Sequence, residues 1–192
     1  VAFLSVIGRL FGFGHDPARE AAEALLSACA ARALDGRLFC ADETSSLQEE
    51  TSGLAVLDDS FDGRFEALAA HACLILRRLR AEGPRLAIVS QAFTNRLFRA
   101  FDDAQRDAGT GDNTIARKVR KMGEAFYGRA GAYDHALNNR DPGELAAALA
   151  RNIKNDGSQT GLFIPLAGYL VAADLALASQ NVDAMIESGP AW

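Results

Sequence analysis

Seven apolar residues settle one element of this chain before anything else is considered. Ile115, Val119, Met122, Phe126, Ala130, Tyr133 and Leu137 recur at steps of 4, 3, 4, 4, 3 and 4. At 3.6 residues per turn, those steps lay one continuous stripe along about six turns of α-helix. A strand, whose side chains alternate with period two, cannot produce them. The spacing predicts a helix from about Asn113 to Leu137, capped by Asp112 or Asn113 after the Gly109-Thr110-Gly111 break. One side of this helix needs a core to pack against. Elsewhere it carries Arg117, Lys118, Arg120 and Lys121, four cations within five residues. These cannot all enter an apolar interior, so they are expected at the surface or against an anionic partner. They are also expected near the helix N-terminus, where the macrodipole disfavours positive charge. Helix stability does not select them, and the helix reads as a docking surface.

Glycines within the same helix add to this reading. Gly123, Gly128 and Gly131 each cost about 1 kcal/mol relative to alanine. Gly128 and Gly131 fall off the apolar stripe. That placement is expected where another backbone approaches closely, either a second helix of the same domain or a partner.

The rest of the chain also reads as helix. Asp16-Pro17 is a start signal, followed by Ala21, Ala22, Leu25, Leu26 and Cys29 on one side to about Ala33. Phe65, Leu68, Ala72, Ile75, Leu76 and Leu79 predict a helix capped by Asp62 and stopped by Gly83-Pro84. Its last turn holds Arg77, Arg78 and Arg80, which complement the dipole. Leu86, Val89, Phe93, Leu97 and Phe101 predict a helix over about 85–107. Asp141-Pro142 opens a short helix bearing Leu145, Ala148 and Leu149. A last long helix runs from about Leu162 to Ser179, with Pro165 in its first turn. No convincing strand is present, and residues 35–60 read as a long connection holding at most a short helix. The expectation is an all-α, single-domain bundle of about six or seven helices. It divides into an N-terminal helix and variable acidic connection (1–60), a helical core (61–180) and a tail (181–192).

The net charge of −5 is unevenly spread. Residues 1–63 hold 4 Lys/Arg against 11 Asp/Glu, residues 64–154 hold 16 against 10, and residues 155–192 hold none against 4. A basic middle is flanked by acidic ends, a distribution that can steer partners. The acidic ends argue against a general nucleic-acid binder, and DNA is not an expected partner. Cys29, Cys40 and Cys73 form no CxxC pair and suggest partly buried thiols in a reducing compartment. The segment Val1–Gly14 is apolar, with Phe3, Val6, Ile7, Leu10 and Phe11 on one helical face. It is too short to cross a membrane and suits either surface contact or packing on the core. No other segment is expected to span a membrane.

Signatures of catalysis are not found. There is no GxxxxGK phosphate loop, HExxH or GxSxG. His15, His71 and His135 are isolated, and His71 reads as a hydrogen-bonded, partly buried side chain. The chain is expected not to be an enzyme and to need no metal or cofactor. A small helical enzyme built from dispersed residues is the weakest class.

Several blocks of this sequence resemble a known family. They are Asp62-Gly63-Arg64-Phe65-Glu66, His71 through Leu76-Arg77-Arg78-Leu79-Arg80-Ala81-Glu82-Gly83, and Gly111-Asp112. Lys118-Val119-Arg120-Lys121-Met122, Glu124-Ala125-Phe126-Tyr127-Gly128-Arg129-Ala130, Tyr133 and residues 146–152 follow in order. Together they are similar to the ubiquinol–cytochrome c chaperone family in its alphaproteobacterial form, over about Phe61 to Asn152. The N-terminal third departs from that pattern at Leu38-Phe39-Cys40 and the acidic stretch after it. The resemblance implies an all-helical assembly factor whose client is newly made cytochrome b. It acts in the cytoplasm or peripherally at the inner face of the cytoplasmic membrane, where a ribosome or membrane surface is a further contact. The expected client-binding residues are Arg117, Lys118, Arg120, Lys121, Tyr127, Gly128 and Arg129, with Arg64, Arg77 and Arg78. The alternative is an RNA- or ribosome-binding helical module using the same cations.

Overall fold

The carboxylate of Asp16 accepts the backbone N–H groups of Ala18 and Arg19, at 3.1 and 3.3 Å, and so begins the first helix. That cap opens α1 (Pro17–Ala33) in the computed structural model, which describes residues 16–40, 56–154 and 157–192. The apolar segment Val1–Gly14, His15 and the acidic stretch 41–55 lie outside the described residues.

Six more α-helices follow among the described residues: α2 (Phe61–Arg80), α3 (Ala87–Asp107), α4 (Asp112–Asn139), α5 (Pro142–Lys154), α6 (Ile164–Ser179) and α7 (Val182–Ser188). The architecture is the all-α bundle the periodicities require. Two boundaries differ from the sequence reading. Ser60 caps α2, its hydroxyl accepting Gly63 N–H at 3.1 Å, so the helix begins ahead of Asp62. The 181–192 tail contains a real helix, whose cap Asn181 accepts from Asp183 and Ala184.

The connection at 35–60 also differs. Phe39–Cys40 (β1) and Leu57–Asp58 (β2) pair as a parallel two-residue ladder. Strands this short leave no period-two pattern to read. Leu38 and Leu57 are buried, which fastens the connection to the core.

Helix α2 is the centre of the fold, packing against α1, α3, α4 and α6. Its run of Ala67, Ala69, Ala70 and Ala72 is buried, and small side chains there let neighbours approach on several sides. Phe93 and Leu97 of α3, Phe126 and Tyr133 of α4, Leu145 of α5 and Ala167 of α6 fill the space around it. Phe65, Phe98, Phe101 and Phe126 form a ring cluster with centroids 5.3–6.3 Å apart. Such tilted aromatic pairs are favourable beyond their area burial.

Gly63 sits where α2 meets β2. A Cβ at this position would lie 1.9 Å from the carbonyl oxygen of Asp58. Backbone cannot yield as a side-chain tip does. Gly63→Ala is therefore expected to cost about 2–3 kcal/mol of folding free energy, read as a lowered denaturant midpoint. An unshifted midpoint would contradict the packing described.

His71 is buried in α2 and makes a complete set of contacts. Its Nδ1 lies 2.7 Å from Ala67 O, and Nε2 lies 2.8 Å from the Tyr169 hydroxyl. Arg32 Nε donates to that hydroxyl oxygen at 2.8 Å, and the Trp192 ring meets the imidazole edge-on. The arrangement fits a neutral imidazole with its proton on Nδ1, Tyr169 donating to Nε2. Burial, helped by Arg32, pulls the His71 pKa from 6.5 to about 4. The unfolded chain therefore takes up this proton before the folded one does. Stability should fall by about 3 kcal/mol as pH drops from 6.5 towards 4. Unfolding titrations across that range should show the slope, and His71→Gln should remove it.

Candidate functional site

The basic turns of α4 rise from a turn that holds them in place. Gly109, at φ 74°, ends α3, and Thr110 N–H returns to Gln105 O at 3.0 Å. The Thr110 hydroxyl donates to Gln105 Oε1 at 2.9 Å and accepts Lys118 Nζ at 2.9 Å. Helix α4 then starts at Asp112 without a side-chain cap. Arg117 through Lys121 consequently sit in its second and third turns. The dipole penalty expected for them is thus smaller than a first-turn position would give, because the effect fades beyond the terminal turn.

Arg117, Lys118, Arg120 and Lys121 are all exposed. Arg120 faces Glu124 at 3.5 Å across two side chains that are 75% and 66% exposed, a pair of little energetic consequence. No partner within hydrogen-bond or ion-pair distance is found for the side chains of Arg117 and Lys121 among the described residues. Tyr127 lies one to two turns further on, 54% exposed, its ring edge-on to Phe98 at 5.7 Å. Beneath Lys121 runs a cleft of about 440 Å³, walled by Phe61, Asp62, Met122 and Ile153 and floored by Glu66 and Arg129.

Arg129 is placed differently. Its side chain is 12% exposed, and Glu66 opposite is 6% exposed. Arg129 Nε donates to Glu66 Oε2 at 2.7 Å and Nη2 donates to Oε1, a bidentate pair. Nη1 reaches Ala125 O at 3.1 Å, and Nη2 reaches Asn152 O at 3.2 Å. The guanidinium also lies over Phe65, 5.3 Å from its centroid. Burial pushes the Glu66 carboxyl up from the usual range, and Arg129 opposes that shift.

Arg77 and Arg78 are likewise engaged inside the fold. Arg77 reaches Asp174 at 2.9 Å, Asp134 at 3.0 Å and Asn138 at 2.8 Å, joining α2 to α4 and α6. Arg78 donates to Leu177 O and Gln180 O, both at 3.0 Å, and to Glu82 at 2.8 Å. The dipole role read for these arginines is only part of their use: Arg78 satisfies carbonyls at the end of α6, and Arg77 ion-pairs across helices. Arg64 is exposed and pairs with Asp59 at 2.7 Å. The expected set therefore separates into outward cations on α4, an exposed pair at Arg64, and three guanidiniums that tie helices together.

Of the two neighbours expected at Gly128 and Gly131, a second helix is not found among the described residues: a Cβ at either position would meet nothing within 4 Å. Both positions face outward, and only Gly123 lies against a neighbour, the Phe98 ring at 3.5 Å. Glu66 was missed as a functional partner. A lone glutamate beside Phe65 and Leu68 on an apolar stripe signals a buried counter-ion.

Other chemistry is sparse. Among the described residues, no group of three His, Cys, Asp or Glu side chains is placed to hold a metal. Burial raises both the Cys29 and Cys73 thiols, the latter to about 12, which keeps them protonated. One helix bears on the expectation that no segment spans a membrane. The helical run Gln159–Ser179 is 21 residues long and holds an 18-residue window with a mean hydropathy of 1.8, long and apolar enough to cross a membrane by length and composition alone. The 3₁₀ segment Gly157–Phe163 leads directly into α6, which carries the apolar helical run ahead of the Leu162 start read from sequence.

Residues 55–192 match the family model described as ubiquinol-cytochrome C chaperone. The fold is similar to the crystal structure of the Cbp3 homolog from Brucella abortus, with 27% sequence identity and a TM-score of 0.75, over 97% of this chain and 96% of that one. No curated protein matches the chain. With the greater part of its length matched and its blocks in order, the chain belongs to the ubiquinol–cytochrome c chaperone family.

Proposed function

We propose that the protein captures newly made cytochrome b for the assembly of ubiquinol–cytochrome c reductase, and that it works by binding rather than by catalysis. One observation carries this reading onto particular residues. The family-like block Lys118–Met122 lies on exposed turns where the side chains of Arg117 and Lys121 meet no partner among the described residues. An unsatisfied basic patch attracts an anionic surface and speeds encounter. Arg117, Lys118, Arg120 and Lys121 supply that guidance. Tyr127 and the bare helix surface at Gly128 supply contact area beside it. Arg129, Arg77 and Arg78 support the surface from within, and Arg64 lies at its edge with Asp59. The protein acts from the cytoplasm or at the inner face of the cytoplasmic membrane, meeting its client at a ribosome or membrane surface.

Affinity purification from solubilised membranes of the native host tests this directly. Cytochrome b is expected among the captured proteins in excess over other haem-bearing membrane subunits. Its absence after crosslinking would remove the proposal. The exposed cations also suit RNA phosphates, and binding to RNA that falls steeply with salt would favour that reading instead.

A further inference from the structure

Helix α6 has two apolar sides but only one core. Leu166, Ala167, Leu170, Ala173 and Leu177 are buried against the bundle. Ile164, Gly168, Ala172 and Leu175 recur at steps of 4, 4 and 3 and form a second stripe, which faces outward. Ile164 and Leu175 are 45% and 44% exposed, and Leu162 just ahead is 52% exposed. Only 33% of the most apolar window in Gln159–Ser179 is buried. A contiguous outward face of this kind on a water-exposed helix marks an interaction surface.

The composition of the stripe indicates what fits it. Large residues stand at its ends, and Gly168 and Ala172 leave a low saddle between them. A Cβ at Gly168 would meet nothing within 4 Å, so packing among the described residues does not require a glycine in mid-helix. Small residues flanked by large ones are the pattern by which apolar helices approach one another closely. Charge decides between a helix and a lipid surface. No charged residue occurs from Gly157 to Ala173, and no Lys or Arg occurs from 155 to 192. The nearby Arg77 and Arg78 are held by Asp174, Asp134 and the carbonyls of Leu177 and Gln180. Among the described residues the face thus offers no free cation to anionic headgroups, which a membrane-surface helix normally does.

We infer that the outer stripe of α6 receives an apolar transmembrane helix of the client, crossing at the Gly168–Ala172 saddle and covering it until the segment enters the bilayer. This rests on the reading that the client is a membrane subunit. It adds a second docking surface, distinct from the basic turns of α4.

Stalled nascent chains of the host cytochrome b, with the first transmembrane segment outside the ribosome, provide the probe. A photoreactive residue at Ala172 should label that segment, whereas one at exposed Asn95 should not. Ala172→Glu should lower capture about tenfold, since it sets a carboxylate in an apolar contact. Its melting temperature should hold, because the position is exposed. Gly168→Ile should also lower capture by filling the saddle, although it makes the face more apolar. Capture of the nascent chain by the parent protein, with equal labelling at both positions or undiminished capture by both variants, overturns the stripe and leaves the function reading standing. No capture by the parent protein overturns both. Flotation with phosphatidylethanolamine–phosphatidylglycerol vesicles, lost in Ala172→Glu but kept in Gly168→Ile, would assign the face to lipid and overturn the inference.

Discussion

Cells carrying Arg120→Glu together with Lys121→Glu are expected to lose cytochrome b capture by at least about tenfold, while the domain folds as before. Both side chains are exposed on α4, and among the described residues the loose Arg120–Glu124 pair is the one ion pair at either. Exposed substitutions away from caps and cores usually change stability by no more than about 0.5 kcal/mol. Neither residue lies in the terminal turn, so the helix dipole adds little in either direction. The two readouts should therefore separate, with capture falling and the melting temperature unchanged. Raising the salt concentration should weaken capture by the parent protein in the same direction, because the contacts are solvent-facing. Unchanged cytochrome b co-purification from the double variant would sink the assignment of docking to α4.

The second large effect lies behind that surface. Removing the carboxylate in Glu66→Ala leaves the Arg129 guanidinium without its counter-ion at a site only 12% exposed. Loss of one member of a buried pair is expected to destabilise by about 3 kcal/mol or more. For a chain of this size that corresponds to a fall in melting temperature of about 10 °C. Replacing both members, as Glu66→Leu with Arg129→Met, should recover most of the loss, because two apolar side chains of similar volume do not require each other. Thermal unfolding of the two singles and the double forms a cycle. If Glu66→Ala melts within a degree of the parent, the pair is not the internal tie described. The contrast with the first prediction is useful, since one helix carries both a cation that serves the interior and cations that do not.

How much of this was legible depended on distance along the chain. The stripe from Ile115 to Leu137 is a local property, and α4 follows it closely. Exposure of Arg117 through Lys121 was legible for the same reason, since a helical period assigns sides without knowledge of the neighbours. Arg129 was not, because its partner Glu66 lies 63 residues away. Arg77 was not either, with Asp174 at a separation of 97. Periodicity shows that a residue needs a partner and is silent about which one. Gly128 and Gly131 were legible only in part for a related reason: a glycine marks room on a helix surface without saying whether a helix of the same chain or a partner fills it. Helix α6 was the least legible. It is apolar almost all round, so no pattern separates the stripe that faces the core from the stripe that faces out.

The grip of Arg78 on the carbonyls of Leu177 and Gln180 has a consequence for the birth of the protein itself. Those acceptors lie 99 and 102 residues downstream of the guanidinium. The central helix is therefore translated long before the segment that completes it. Until residues 174–180 have left the ribosome, Arg77 and Arg78 lack the groups on α6 that hold them in the finished fold. The native ion-pair network therefore cannot close when α2 emerges; it waits for groups made 97 to 102 residues later. The central helix thus stays without its α6 partners while α3, α4 and α5 are made, and the contacts that complete it are among the most distant in the chain.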